Sequence, residues 1–221
     1  SWRPALVELR ALRRHRGHGS EQRLVIDELS HIVAAGRMTV VTGRSGSGKT
    51  TLLRLLAGLD LPDGGEVLIG EQLLGALDAE QLATLRRERV GYLPQEPSLV
   101  PFLSGHENIT LALHLRGWDA AAAAARGAEE LTRLGLGGRA RQRVSRLSAG
   151  EAQRVALARA LASARGLVIV DEPTSRLDEA RAAGVAQLLA DAAAQDAQTV
   201  ICATHDPAVI AAADEVLALA G

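Results

Sequence analysis

The chain has 221 residues, enough for one sizeable core that buries roughly 70–75% of the unfolded surface. Hydrophobic residues make up 47% and charged residues 23%, the mix of an ordinary globular protein, and a net charge of −1 gives no support for a nucleic-acid or anionic-membrane surface. No apolar run approaches the roughly 18 residues of a bilayer-spanning helix, and the single Cys202 excludes an intrachain disulfide.

Ser1-Trp2-Arg3-Pro4 carries neither an initiator Met nor a signal peptide, as expected of a trimmed chain or a segment of a longer one. Residues 5–12 and 24–32 have the alternation of strands, with a loop at Ala35-Gly36 after the second. Met38–Thr42 is a short apolar, β-branched run, the pattern of a buried parallel strand. Gly43-Arg44-Ser45-Gly46-Ser47-Gly48-Lys49-Thr50 then matches the phosphate-loop pattern GxxxxGK[ST]. From Thr51 the apolar residues recur at helical spacing (Leu52, Leu53, Leu55, Leu56, Leu59), with Gly58 placed to end the helix. Such glycines let backbone N–H groups converge on an anion, and the helix start adds its positive dipole end. Lys49 can then reach the β- and γ-phosphates, and the Thr50 hydroxyl can ligate Mg²⁺. Of 25 Lys and Arg residues only Lys49 is lysine, a compact ammonium reserved for this position. A plain glycine-rich turn before a helix is the alternative, and the strand–loop–helix context argues against it.

Pro62-Asp63-Gly64-Gly65 is a turn and residues 66–69 a short strand, which with the first two strands predicts a small antiparallel layer beside the nucleotide core. Residues 78–88 read as an amphipathic helix with Leu82 and Leu85 on one face, and Val90–Leu93 as a buried strand closed by Pro94-Gln95-Glu96-Pro97. No strand signal appears over 106–138, where residues 119–134 form an alanine-rich helix with Asp119 placed to cap it. The expected organisation is one nucleotide-binding domain over 1–221. Residues 1–95 and 162–221 form its core with the β layer, and 96–161 form an inserted helical subdomain. Strand 167–170, helix Glu179–Ala194, strand Thr199–Ala203 (with Cys202 as a small core residue), helix 207–213 and a last apolar run over 216–219 complete the rhythm. Together they predict an α/β fold with a mostly parallel sheet covered by helices.

Strand 167–170 delivers Asp171 and Glu172 at its C-terminal end, where ligands sit in open α/β sheets. Adjacent strand side chains diverge, so Asp171 can hold Mg²⁺ while Glu172 orients or deprotonates the attacking water. Leu147-Ser148-Ala149-Gly150-Glu151 leads into a long helix, and Ser148 with Glu151 makes a capping box that explains the pattern by itself. A capped helix start is also an anion site, so a second one in a phosphate-loop protein suits the phosphate of a partner copy.

With these pieces in order, the chain resembles the ATP-binding-cassette ATPases. GRSGSGKT, Gln95, LSAGE, VIVDE, SRLD and Thr204-His205-Asp206 look like that family's Walker A, Q-loop, signature, Walker B, D-loop and H-loop. LRRERVGYLPQ and LDLPDGG look most like the branch serving lipoprotein release, macrolide export and cell-division complexes. The resemblance implies a head-to-tail dimer, homo- or heteromeric, closing on two ATP molecules with Mg²⁺. Each site would join one subunit's loop (Gly43, Arg44, Ser45, Gly46, Ser47, Gly48, Lys49, Thr50, Thr51) to Ser148, Gly150 and Glu151 of the other. It gives Gln95 the sensing of Mg²⁺ and water, His205 the γ-phosphate, and Asp178 a place at the dimer interface. Integral-membrane permease subunits would hold the cassette on the cytoplasmic face of the membrane, and no nucleic acid is implied.

Departures from the family pattern are Ala149 for a glycine, Glu151 for a glutamine and Arg176 at a D-loop position that is usually small. Ala149 is tolerable only at negative φ, and Arg176 is expected to alter the dimer surface. Gapless pairing of residues 8–30 with the branch pattern puts Arg16 where tyrosine normally stacks on adenine. His15, His18, His31, His106 and His114 show no ligand spacing, and no structural metal is expected. Soluble cassettes acting on ribosomes or DNA carry paired cassettes or inserted modules that this chain lacks. A degenerate cassette would not keep Lys49, Asp171, Glu172 and His205.

Overall fold

The structure is a computed structural model and describes residues 4–17 and 22–219. His18 and residues 1–3 therefore lie outside the described residues. Two sheets organise the chain. Strands β1 (Val7–Arg16), β2 (Arg23–Val33), β4 (Gly64–Ile69) and β5 (Gln72–Leu73) form an antiparallel sheet in the order β2-β1-β4-β5. Strands β3 (Met38–Thr42), β6 (Val90–Leu93), β7 (Leu167–Asp171), β8 (Thr199–Ala203) and β9 (Glu215–Ala218) form a sheet in the order β6-β7-β8-β3-β9, every neighbouring pair of which is parallel.

The period-2 alternation of the parallel strands sorts their side chains into two cores. Val41, Leu167, Ile169, Ile201 and Ala203 face α1 (Lys49–Leu56), α2 (Ala79–Arg89) and the antiparallel sheet. Met38, Val40, Val168, Val170, Val200 and Cys202 face the other way. There they pack on α3 (Gly105–His114), α4 (Ala120–Arg133), α5 (Ala149–Ser163), α6 (Glu179–Ala194) and α7 (Pro207–Ala212). Helix α1 has only eight residues, too short to persist alone. Burial of Leu52, Leu53, Leu55 and Leu56 holds it, each such side chain worth about 1.5–3 kcal/mol. Its C-terminus closes as a Schellman motif, with Leu59 N–H bonded to Arg54 O at 2.9 Å, Gly58 N–H to Leu55 O at 3.0 Å, and Gly58 at φ +64°.

Capping boxes start α2 (Asp78 with Gln81), α3 (Ser104 with Glu107) and α5 (Ser148 with Glu151), and Asp119 caps α4. Arg116, just beyond α3, donates to the carbonyls of Arg87, Ser163 and Val90 at 2.7, 2.9 and 3.0 Å, joining the ends of α2 and α5 to β6. Burial lowers its pKa to about 10. Helix α5 packs on α3 and α4 and also on β6 and β7, so the helical layer and the parallel sheet share one core.

The first strand runs four residues beyond the apolar alternation. Register shifts between Leu9 and His15 bend β1, and its polar half is held by Asp63, which accepts from Arg14 at 2.8 Å and from His15 N–H at 2.6 Å. That extension carries Arg16.

Candidate active site

Four neighbouring strands, taken in the sheet order β6, β7, β8 and β3, bring the chemical groups to one edge. Gln95 follows β6, Asp171 and Glu172 close β7, His205 follows β8, and the glycine loop follows β3. They line a cleft of about 760 Å³ together with Arg16, Ser175 and the loop residues Gly43, Arg44, Ser45, Gly46, Gly48, Lys49, Thr50 and Thr51. Ser47 turns inward instead. It is buried, and its hydroxyl meets no partner.

The loop fits a phosphate chain. Gly48, at φ +94°, is the N-cap of α1, and a Cβ there would stand 2.9 Å from Val25 O. A larger residue would therefore both strain the turn and collide with β2. The first N–H groups of α1 have no intrahelical acceptor and point with the positive dipole end into the cleft. Lys49 Nζ donates to Gly43 O at 2.7 Å and Arg44 O at 3.1 Å, which holds the ammonium across the loop.

Thr50 Oγ1 donates to Asp171 Oδ2 at 2.7 Å. Burial raises the Asp171 pKa, the Thr50 bond opposes this, and the neighbouring Glu172 charge adds to it. The hydroxyl, the carboxylate and the Gln95 amide are hard oxygen donors facing one cleft, a fit for Mg²⁺ completed by phosphate oxygens. Among the described residues no cluster of three or more His, Cys, Asp or Glu could hold a metal without such help.

Glu172 departs from strand geometry, with φ +48°. Its N–H donates to Ala203 O at 2.8 Å, and Oε1 lies 3.1 Å from Nδ1 of His205. A carboxylate in its charged form only accepts, so a hydrogen bond at this contact requires the donor to be Nδ1. Oε2 is buried without a partner. The imidazole is otherwise open, its side chain 81% exposed. One carboxylate oxygen is thus oriented by a histidine while the other remains free to accept a proton.

Two further residues hold the Glu172 backbone. The Ser175 hydroxyl donates to Glu172 O at 3.1 Å, and the buried Gln153 amide of α5 donates to the same oxygen at 3.2 Å. The signal for Gln153 is a polar residue in register with the buried face of Ala156 and Ala160.

Ser148, Gly150 and Glu151 do not line this cleft. They form the start of α5, where Ser148 Oγ accepts from Glu151 N–H at 3.2 Å and Glu151 Oε2 accepts from Ser148 N–H at 2.9 Å. The bond from Ser148 N–H holds the Glu151 carboxyl below its ordinary pKa. Ala149 is the first residue of the helix and is not among the positive-φ residues, so its methyl group carries no backbone strain. Gly150 packs under the loop after Glu172, where a Cβ would come within 2.8 Å of Arg176 O. Asp178 caps α6, accepting from Arg181 N–H at 2.9 Å. His15 and His31 pair with Asp63 and Glu215, and His106 Nε2 lies 2.9 Å from Ala124 O.

The ABC transporter family profile matches residues 26–175. The lipoprotein-releasing system ATP-binding protein LolD of Chromohalobacter salexigens is 40% identical over 214 residues, 97% of this chain and 90% of that protein. The macrolide export ATP-binding/permease protein MacB of Rhodopseudomonas palustris is 38% identical over 213 residues, 96% of this chain but 32% of that longer protein. A solved dimer of the ATP-binding cassette MJ0796, in a post-hydrolysis state with ADP and Pi, superimposes with a TM-score of 0.91 at 31% identity, covering 96% of this chain and 94% of that one. The chain belongs to the ABC transporter family, as an ATP-binding and ATP-hydrolysing cassette.

Proposed function

We propose that this cassette is the motor of a membrane transport complex, two copies or two related cassettes closing head to tail on two ATP molecules. The observation that supports it most is a division within one chain. The phosphate loop, Gln95, Asp171, Glu172 and His205 share one cleft, while the capped start of α5 with Ser148, Gly150 and Glu151 lies outside it. A second copy would bring its Ser148 and Gly150 to the γ-phosphate held by the loop.

In this reading the loop N–H groups and Lys49 bind the phosphates, and Thr50, Asp171 and Gln95 hold Mg²⁺, which when bound neutralises charge on the β- and γ-oxygens. Glu172 accepts the proton of the attacking water as its oxygen bonds to the γ-phosphorus and the bond to ADP breaks. His205 holds Glu172 in place and contacts the γ-phosphate. Residues 96–161 act as a helical subdomain against the core formed by 1–95 and 162–221. In this reading integral-membrane permease subunits hold the cassette on the cytoplasmic face; among the described residues no helix is long and apolar enough to cross a membrane. The relatives named for lipoprotein release and macrolide export favour transport over a role without a substrate.

ATPase activity measured against protein concentration tests this. Specific activity should rise more than linearly below the dimerisation constant and vanish on chelation of Mg²⁺. Ser148→Ala should bind ATP and hydrolyse it poorly. Full turnover by a verified monomer would refute it.

A further inference from the structure

Glu172 holds its conformation against two local preferences. A left-handed φ of +48° costs a residue with a Cβ roughly 1–2 kcal/mol. Pro173 follows, and a residue before proline is pushed toward extended backbone. Something outside the segment must therefore secure it. On one side Glu172 N–H is bonded to Ala203 O of β8 at 2.8 Å. On the other, the Glu172 carbonyl accepts from the Ser175 hydroxyl at 3.1 Å and from Gln153 Nε2 at 3.2 Å.

Ser175 belongs to the same turn and moves with it, whereas Gln153 reaches in from α5. Its side chain is completely buried, and its Oε1 has no partner. The residues around it on that helix, Val155, Ala156 and Leu157, are apolar. A residue kept there for packing alone would be apolar too, because a half-satisfied buried amide is a net loss unless its one bond matters. That bond ends on the backbone of Glu172, and the helix supplying it begins five residues earlier at Ser148.

We propose that Gln153 is a positioning residue for ATP hydrolysis. By pinning the Glu172 carbonyl it keeps the left-handed turn that sets the carboxylate beside His205, and it ties that placement to the start of α5. The proposal rests on the reading of Glu172 as the group that takes the water's proton.

Gln153→Met keeps the length of the side chain and removes the donor; Gln153→Glu is nearly isosteric and, when ionised, also cannot donate. Both are made in the full chain and compared with the parent for kcat, KM for ATP, equilibrium nucleotide affinity and melting temperature. The expected result is a kcat about 10–100-fold lower with nucleotide affinity within about twofold of the parent, as for a small displacement of a catalytic group. In a Glu172→Gln background, Gln153→Met should cause no further loss of residual rate. An unchanged kcat in either folded variant overturns the proposal. So does a fall in kcat matched by equal losses of affinity and melting temperature, or a loss that adds fully to Glu172→Gln. A Glu172→Gln chain active at the parent rate removes the proton-acceptor reading and this proposal with it. An inactive Glu172→Gln beside a fully active Gln153→Met removes the positioning role alone.

Discussion

Arg176, in the turn after Glu172, holds Glu96, the residue after Gln95, with one guanidinium nitrogen 3.1 Å from both carboxylate oxygens. The Arg176 side chain turns to its own chain, and its carbonyl covers Gly150. One residue therefore touches the loop after β6 and the start of α5.

Both partners of that pair are exposed, with 38% of the Arg176 and 84% of the Glu96 side chain open to solvent. Their coupling in a double-mutant cycle should stay below about 1 kcal/mol and shrink with salt. Its effect should be on loop motion. Either Arg176→Ala or Glu96→Ala should speed amide exchange at residues 95–96 and over 174–177 together. Acceleration in one loop alone would show that the pair does not couple them.

Arg16 lines the cleft at the end of β1, and the family resemblance would give it the place of a base-stacking aromatic residue. A guanidinium can stack on a base but also competes to stay solvated. Base stacking on a protein ring is worth about 1–3 kcal/mol in single-stranded nucleic-acid complexes, and part of that should be missing. ATP and GTP should therefore bind with comparable affinity, and Arg16→Tyr should tighten ATP several-fold. Nucleotide titrations decide it; a strong native preference for ATP that Arg16→Tyr leaves untouched would exclude Arg16 from the base site.

Gly91 sets how closely β6 approaches α5. A Cβ there would lie 2.0 Å from Ala160 O and 2.8 Å from the Ala164 methyl group. The first of these is helix backbone and cannot step aside. Gly91→Ala should lower unfolding free energy by about 3 kcal/mol, the upper end of overpacking effects, in urea denaturation. A loss under about 1 kcal/mol would mean that α5 slides away without penalty.

Glu151 ties stability to pH. Its pKa is lowered, first by the Ser148 N–H bond, so the folded state binds its proton less readily than the unfolded chain. That contribution is present above the ordinary carboxylate value, near 4.3, and is lost as pH falls through the lowered one. Glutamine keeps an acceptor for the capping box but carries no charge. The parent should therefore melt above Glu151→Gln at neutral pH, and the two curves should meet in acid. Buried Glu130 and Asp171, whose raised values act with the opposite sign, cancel in this difference. A constant offset at every pH would rule the titration out.

Residues whose environment is local were the ones legible in the sequence. Strands β3, β6 and β8 and helix α6 begin and end where apolar runs and caps place them. The phosphate loop, the acid pair and the capping box of α5 are written in consecutive residues. Strand β1 was cut short at residue 12 because residues 13–16 are polar and are held by β2 and Asp63, information lying elsewhere in the chain. Strand β5 has only two residues and no periodicity to read. The partners of Gln153 and of Arg176 were not legible for the same reason. The first depends on which face of α5 meets β7, the second on a sheet order that sets β6 beside β7.

Lys49 is the only lysine, and its ammonium sits across the phosphate loop on Gly43 O and Arg44 O. Any method that sees lysine therefore sees the nucleotide site and nothing else. Chain grown with lysine ¹⁵N-labelled at Nζ should give a single side-chain nitrogen resonance. That signal should move when a nucleotide's phosphates replace the two carbonyls as its partners. Acylating reagents, the terminal amine aside, have one target, and a bound nucleotide should shield it. In most proteins a lysine probe averages over a surface; here the guanidinium groups everywhere else leave one amine to report on occupancy.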